Sequence, residues 1–228
     1  MPTIRIRYAK MAGLRFTSHL DVARTLRRAL NRAKIPVAYS QGHVPRPKIS
    51  LGIPLALGHT STAEYADFEM TIALSPQRVV ERLNKAMPEG LEVLHARRLH
   101  AGEPSLSSQI SEMAYEVTIP VDEPEISEHL GKLDTVRAAI DTFSARDQVQ
   151  ISRERKGKVQ RFDLKEYVAG LTASSADGAN ELRLVVSVSE KGYPRPEEIL
   201  CNVFGVSERE LMYCSIERTE VKFRGQEK

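Results

Sequence analysis

Ile4, Ile6 and Tyr8 alternate with Arg5 and Arg7 at the start of the chain, the two-residue period of a strand with one buried face. Gly13 supplies a turn, and Leu14 to Phe16 extends or pairs with that strand. From His19 to Lys34 the period becomes helical. Val22, Leu26, Ala29, Leu30 and Ala33 fall on one side of the wheel, and Arg24, Arg27, Arg28, Asn31 and Arg32 spread over the other. Ser18, followed three residues later by Asp21, resembles a capping box with a carboxylate in the first turn. Pro36 ends the helix, and Pro45 and Pro47 make Gly42 to Lys48 a stiff loop. Ile49 to Leu57 and Glu64 to Leu74 read as strands. Ser75 then caps a helix that Pro76 opens and Pro88 with Gly90 stops, and Leu91 to Leu99 is a last strand.

The pattern recurs after a Gly-, Pro- and Ser-rich linker from His100 to Ser108. Strand Tyr115 to Val121, a helix from Glu125 to Phe143 and strand Val149 to Arg153 come first. A basic hairpin, a short helix capped by Asp163, strand Leu182 to Val188, a helix opened by Pro196 and Glu197, and a strand from Tyr213 to Phe223 follow. The recurrence of strand–helix–strand–strand–helix–strand predicts an α+β chain of two tandem ferredoxin-like (βαββαβ) domains with antiparallel sheets, residues 1–100 and 109–228.

Charge changes this picture. The first 50 residues hold 11 Lys or Arg against the single acid Asp21, while the whole chain is only +3, so the remainder is net negative. A basic end on an acidic chain points to a polyanion, of which nucleic acid is the commonest. Composition narrows the rest. At 41 % hydrophobic and 28 % charged residues the 228-residue chain is not disordered. No apolar run reaches membrane-spanning length and the opening MPTIRIRYAK has no secretory core, so no membrane partner and a cytoplasmic location are expected. Cys201 and Cys214 make neither a disulfide framework nor a zinc or iron–sulfur spacing.

Neither a phosphate-binding nor a dinucleotide-binding glycine motif is present, and His43, His59, His95 and His100 have no metal-ligand spacing, so no cofactor or metal is expected. The run YSQGHVPRPK is the segment least like core. It places Tyr39, His43, Arg46 and Lys48 on a proline-stiffened loop, where cations can hold phosphates while a ring stacks on a base. Arg153, Arg155, Lys156, Lys158 and Arg161 form a second basic ribbon, equally readable as a solvated hairpin.

The residues then carry a resemblance. Arg15, Phe16, Ser18, His19, Leu20 and Asp21; Tyr39, Ser40, Gly42, Pro45, Pro47 and Lys48; and Glu64, Tyr65 and Asp67 resemble the motifs of a radical-SAM-linked family of bacterial proteins. His43 and Arg46 depart from the family pattern, which has Phe and His there. The resemblance implies a separate radical SAM protein as partner, because two distant cysteines cannot hold such an enzyme's cluster. It also leans towards RNA, ribosomal or transfer.

The leading reading is an RNA-binding accessory protein acting with a radical SAM enzyme in RNA modification or processing, without catalysis of its own. Its binding residues are Arg15, His19, Arg24, Arg27, Arg28, Tyr39, His43, Arg46 and Lys48. A second reading is a metal-independent RNA endonuclease resembling CRISPR RNA-processing enzymes, with His19 or His43 and with Tyr39 and Lys48 as the chemical groups. A third is a protein-interaction adaptor whose arginines meet an acidic partner.

Overall fold

A computed structural model describes residues 1–155 and 157–225. The chain divides into two compact units, Met1–Ile110 and a second from Ser111 onward. The architecture is mixed α+β with antiparallel strand pairing in both units.

In the first unit, strand β1 (Thr3–Lys10) leads to helix α1 (His19–Arg32), then β2 (Ile49–Leu51), β3 (Thr60–Glu69), α2 (Pro76–Asn84) and β4 (Leu91–Arg98). The strands lie in the order β4-β1-β3-β2. Ile4, Ile6, Tyr8, Ala66 and Phe68 pack on one face against Val22, Leu26, Ala29 and Leu30 of α1 and Val79 and Leu83 of α2. The helical period therefore delivers the apolar side of both helices to the sheet and leaves their basic sides outward.

Several boundaries differ from the pattern, among them that of β3, which runs Thr60–Glu69 rather than from Glu64 to Leu74. Ala12–Phe16 is a 3-10 helix rather than an extension of β1, entered through Ala12 at φ 50°. Helix α1 stops at Arg32 because Lys34 takes the left-handed conformation, φ 51°, ahead of Pro36. Strand β2 has three residues instead of nine, and the expected linker contains the helical turn α3 (Leu106–Gln109).

The second unit repeats the strand order around an insertion. Its strands are β5 (Ile110–Pro120), β8 (Val168–Ala176), β9 (Ala179–Ser187) and β10 (Ser215–Phe223), arranged β10-β5-β9-β8. Its helices are α4 (Glu128–Gly131), α5 (Leu133–Ala145), α6 (Leu164–Tyr167), α7 (Pro196–Phe204) and α8 (Glu208–Leu211). The expected helix from Glu125 to Phe143 is broken at Lys132, whose ψ of 115° is extended.

The segment Val149 to Arg153, expected as a sheet strand, instead leads into β6 (Gln150–Arg155), which pairs with β7 (Lys158–Asp163) as a separate hairpin. The sheet position it was assigned belongs to β8, in register with β9 from Val168↔Val186 to Ala176↔Ala179. Within the hairpin, Arg153 is held inward by Glu198 and lies over the Phe162 ring at 5.1 Å, so it is a packing residue rather than part of a solvated ribbon. Lys156 lies outside the described residues.

Candidate nucleic-acid interface

The amino end of α1 is fixed by its own sequence. The Ser18 hydroxyl accepts from the Asp21 amide at 3.2 Å and donates to the Asp21 carboxylate at 2.6 Å. That hydroxyl and the Arg24 guanidinium, 3.0 Å away, hold the Asp21 carboxyl below its ordinary range. Burial of Val22, Ala23, Leu26, Ala29 and Leu30 turns Arg24, Arg28 and Arg32 out to solvent. Arg27 is half-buried, and its Nε has no hydrogen-bond partner among the described residues.

The loop after α1 is closed by a short neck. The Ser40 amide donates to the Arg46 carbonyl at 2.9 Å, the Arg46 amide donates to the Ser40 hydroxyl at 3.0 Å, and Tyr39 bridges Pro47. This neck is tied to the helix, because Tyr39 Oη donates to Asn31 Oδ1 at 2.9 Å. Beyond it His43, Val44 and Arg46 are exposed. Arg24, Arg27 and Arg28 on α1, Tyr39 at the neck and His43 and Arg46 on the loop are thus held on adjacent elements. Arg15 and His19 stand at the opposite, amino end of α1. Arg15 lies over the Phe16 ring at 4.8 Å with its carbonyl held by the Gly58 amide, and His19 is the half-buried first residue of the helix.

Lys48 does not join this surface. Ile49 pairs with Phe68 and Ser50 with Asp67, so Lys48 follows the alternation that carries Asp67 and Glu69 to the sheet face away from the helices. There its ammonium meets Glu69 at 2.8 Å. Tyr39, bonded to α1, is on the helical side. Tyr39 and Lys48, the two groups that the endonuclease reading joins, are thus held by different partners, Asn31 and Glu69.

The basic count in the sequence also overstates the surface. Arg5 is only 2 % exposed. Its Nε and Nη2 donate to the two Asp67 oxygens at 2.8 Å each, and its Nη1 donates to Gln109 Oε1 at 2.8 Å. Lys10 is buried too, with its ammonium donating to the carbonyls of Arg15 and Thr17.

Sequence reasoning confined to the first 50 residues missed cations on the neighbouring helix. With Val79 and Leu83 inward, α2 turns Arg78 and Arg82 towards solvent, and Lys85 follows at its end. Arg32 of α1 donates to the Ala86 carbonyl, and Arg32, Arg82, Lys85, Met87 and Pro88 line a shallow cavity of about 500 Å³. The signal was present in the helical period of that segment. On the other sheet face a cavity of about 600 Å³ is lined by Lys48, Asp67, Glu69, His100 and Glu103 among others. Its carboxylates are paired: Asp67 with Arg5, Glu69 with Lys48, and Glu103 with Arg97 at 2.9 Å.

Among the described residues no group of three or more His, Cys, Asp or Glu side chains is placed to hold a metal ion, and no helix is long and apolar enough to cross a membrane. What the surface offers is the solvent-facing guanidinium groups of Arg24, Arg28 and Arg46, the first of them paired with Asp21, beside the exposed Tyr39 ring.

No curated protein matches the sequence. Among solved structures it is similar to an unknown protein from Galdieria sulphuraria, 13 % identical, with 97 % of this chain and 98 % of that one covered and a TM-score of 0.26. The sequence pattern of a family described as an uncharacterized protein conserved in bacteria, DUF2344, matches residues 3–196. The match spans the basic helix, its loop and most of the second unit, and the chain belongs to that family.

Proposed function

We propose that the chain is an RNA-binding accessory protein whose first unit grips RNA with α1 and the loop after it. The observation that carries this reading is the bond from Tyr39 to Asn31, which makes one surface of the α1 arginines and the His43–Arg46 loop tip. Phosphate contacts from Arg24, Arg27, Arg28 and Arg46 supply affinity, and Arg82 and Lys85 widen the same field. Ring stacking supplies preference for bases over other polyanions.

The repeated βαββαβ element order and the β4-β1-β3-β2 and β10-β5-β9-β8 strand orders support reading both units as ferredoxin-like. On the resemblance of the N-terminal motifs, the protein works in the cytoplasm beside a separate radical SAM enzyme and presents ribosomal or transfer RNA to it. The test is retention of purified total RNA by the pure protein, followed by size analysis of what is retained. Intact RNA bound at low salt and released by high salt is the expected result. Cleaved RNA would replace this reading with a nuclease, and no retention would replace it with a protein adaptor.

A further inference from the structure

The amino end of α1 carries an aromatic ring that the fold does not use. Phe16 is 67 % exposed at the end of the 3-10 helix. Leu20, the second residue of α1, is 65 % exposed. Leu57 is exposed as well, and the Gly58 amide that follows it donates to the Arg15 carbonyl at 2.9 Å, which joins the backbone of this turn to the residue before Phe16. Burying these side chains would be favourable, so open apolar side chains at the end of an arginine-bearing helix are set up for a ligand with a flat apolar face and a negative backbone. Arg15 over the Phe16 ring adds a guanidinium plane at the same point.

At the other end of α1 stands Tyr39, 44 % exposed. The 14 residues of α1 span about 21 Å, which a stacked strand with a rise of about 3.4 Å per nucleotide crosses in about six nucleotides. The ends of this stretch have rings and its middle has arginines. A duplex buries its base faces and cannot use the rings, whereas an unpaired strand can place phosphates on Arg24 and Arg28 and bases on Phe16 and Tyr39.

Resting on the RNA-binding reading, we infer that the α1 face takes RNA as a single strand, with an unpaired base stacked on Phe16 beside Arg15. Phe16 sets the preference for unpaired RNA, and the arginines set the sequence-independent affinity.

Fluorescence anisotropy with a labelled oligouridine of about twelve nucleotides, and with a duplex of the same length, tests this on the full chain. The single strand should bind at least about tenfold tighter than the duplex. Phe16→Ala should weaken single-strand binding by about 5- to 150-fold and leave duplex affinity and the salt slope unchanged, and Phe16→Trp should restore it. The ring is exposed, so the melting temperature of both variants should match the parent. If the duplex binds as tightly, or Phe16→Ala changes nothing while Arg24→Gln with Arg28→Gln weakens binding, stacking is wrong and RNA binding stands. If neither RNA binds the parent protein, the RNA-binding reading itself falls, and the inference with it.

Discussion

Tyr39 reaches back eight residues to Asn31, its hydroxyl donating to the amide oxygen at 2.9 Å on the open side of α1. The bond is exposed, so its effect on global stability is small, about 1 kcal/mol or less. Its effect on loop order is larger. Tyr39→Phe should keep the melting temperature, speed amide exchange at Ser40 and Arg46, and lower RNA affinity severalfold. Unchanged exchange would show that the Ser40–Arg46 neck holds the loop alone.

Replacing Arg24, Arg27 and Arg28 together with glutamine removes three cations from one helix face. With each phosphate contact contributing about 0.7 to the log–log salt slope for a single strand, the slope should fall by about 2. Titrations at three or more salt concentrations measure it. Asp21→Asn acts in the opposite sense, because Arg24 is now neutralised by that carboxylate, and it should tighten binding.

The Arg5–Asp67 pair makes a different prediction. Removing one member of a buried, doubly hydrogen-bonded pair leaves the other charge uncompensated, so Asp67→Ala should cost about 3–5 kcal/mol in urea unfolding. Arg5→Met with Asp67→Leu should recover a large part of that loss. Equal destabilisation by the single and double variants would mean that the pair is not the source of the effect.

Acid should unfold the protein through two carboxyls. The bidentate Arg97 guanidinium, with the His100 amide, holds Glu103 at about 2 instead of 4.5. Burial pushes Glu210 up, but the hydroxyls and amides of Ser127 and Ser207 outweigh it and also hold it at about 2. Groups lowered on folding stabilise the native state above their ordinary range, and that contribution disappears as pH falls from about 4.5 to about 2. Melting temperature followed through this window should drop less steeply in Glu103→Gln and in Ser207→Ala than in the parent.

Helix α1 was readable from the sequence because Ser18, Asp21 and the spacing of Val22, Leu26, Ala29 and Leu30 are local signals that agree with one another. Strand β8 was not, since VAGLTASSA offers small and polar residues where a half-buried strand would alternate; it is the last strand on its side of the sheet order and needs only one partner. Val149 to Arg153 does look like a strand and is one, but periodicity does not say which strand it will meet. The site divides along the same line. The arginine face of α1 follows from a period, whereas Lys48 was lost to it through the register of Ile49 on Phe68, a pairing nineteen positions apart in the chain. Arg5 sits on the polar side of an alternating strand, yet Asp67 and Gln109 enclose it, a closure no local pattern announces.

The β6–β7 hairpin has a counterpart in the first unit. It lies between the long helix α5 and strand β8, and the Tyr39–Lys48 loop lies between α1 and β2. In each repeat the same crossover, from first helix to second strand, is the one that lengthens. The hairpin pairs with no strand but its own two, and the loop meets its sheet at its last residue, where the Glu69 amide donates to the Lys48 carbonyl at 3.2 Å, so the length and composition between can change while the strand order is kept. Each unit is thus a frame with one socket, and the two sockets now hold unlike inserts: a proline-stiffened loop tied to its helix in one, and a hairpin anchored through Arg153 and Glu198 in the other.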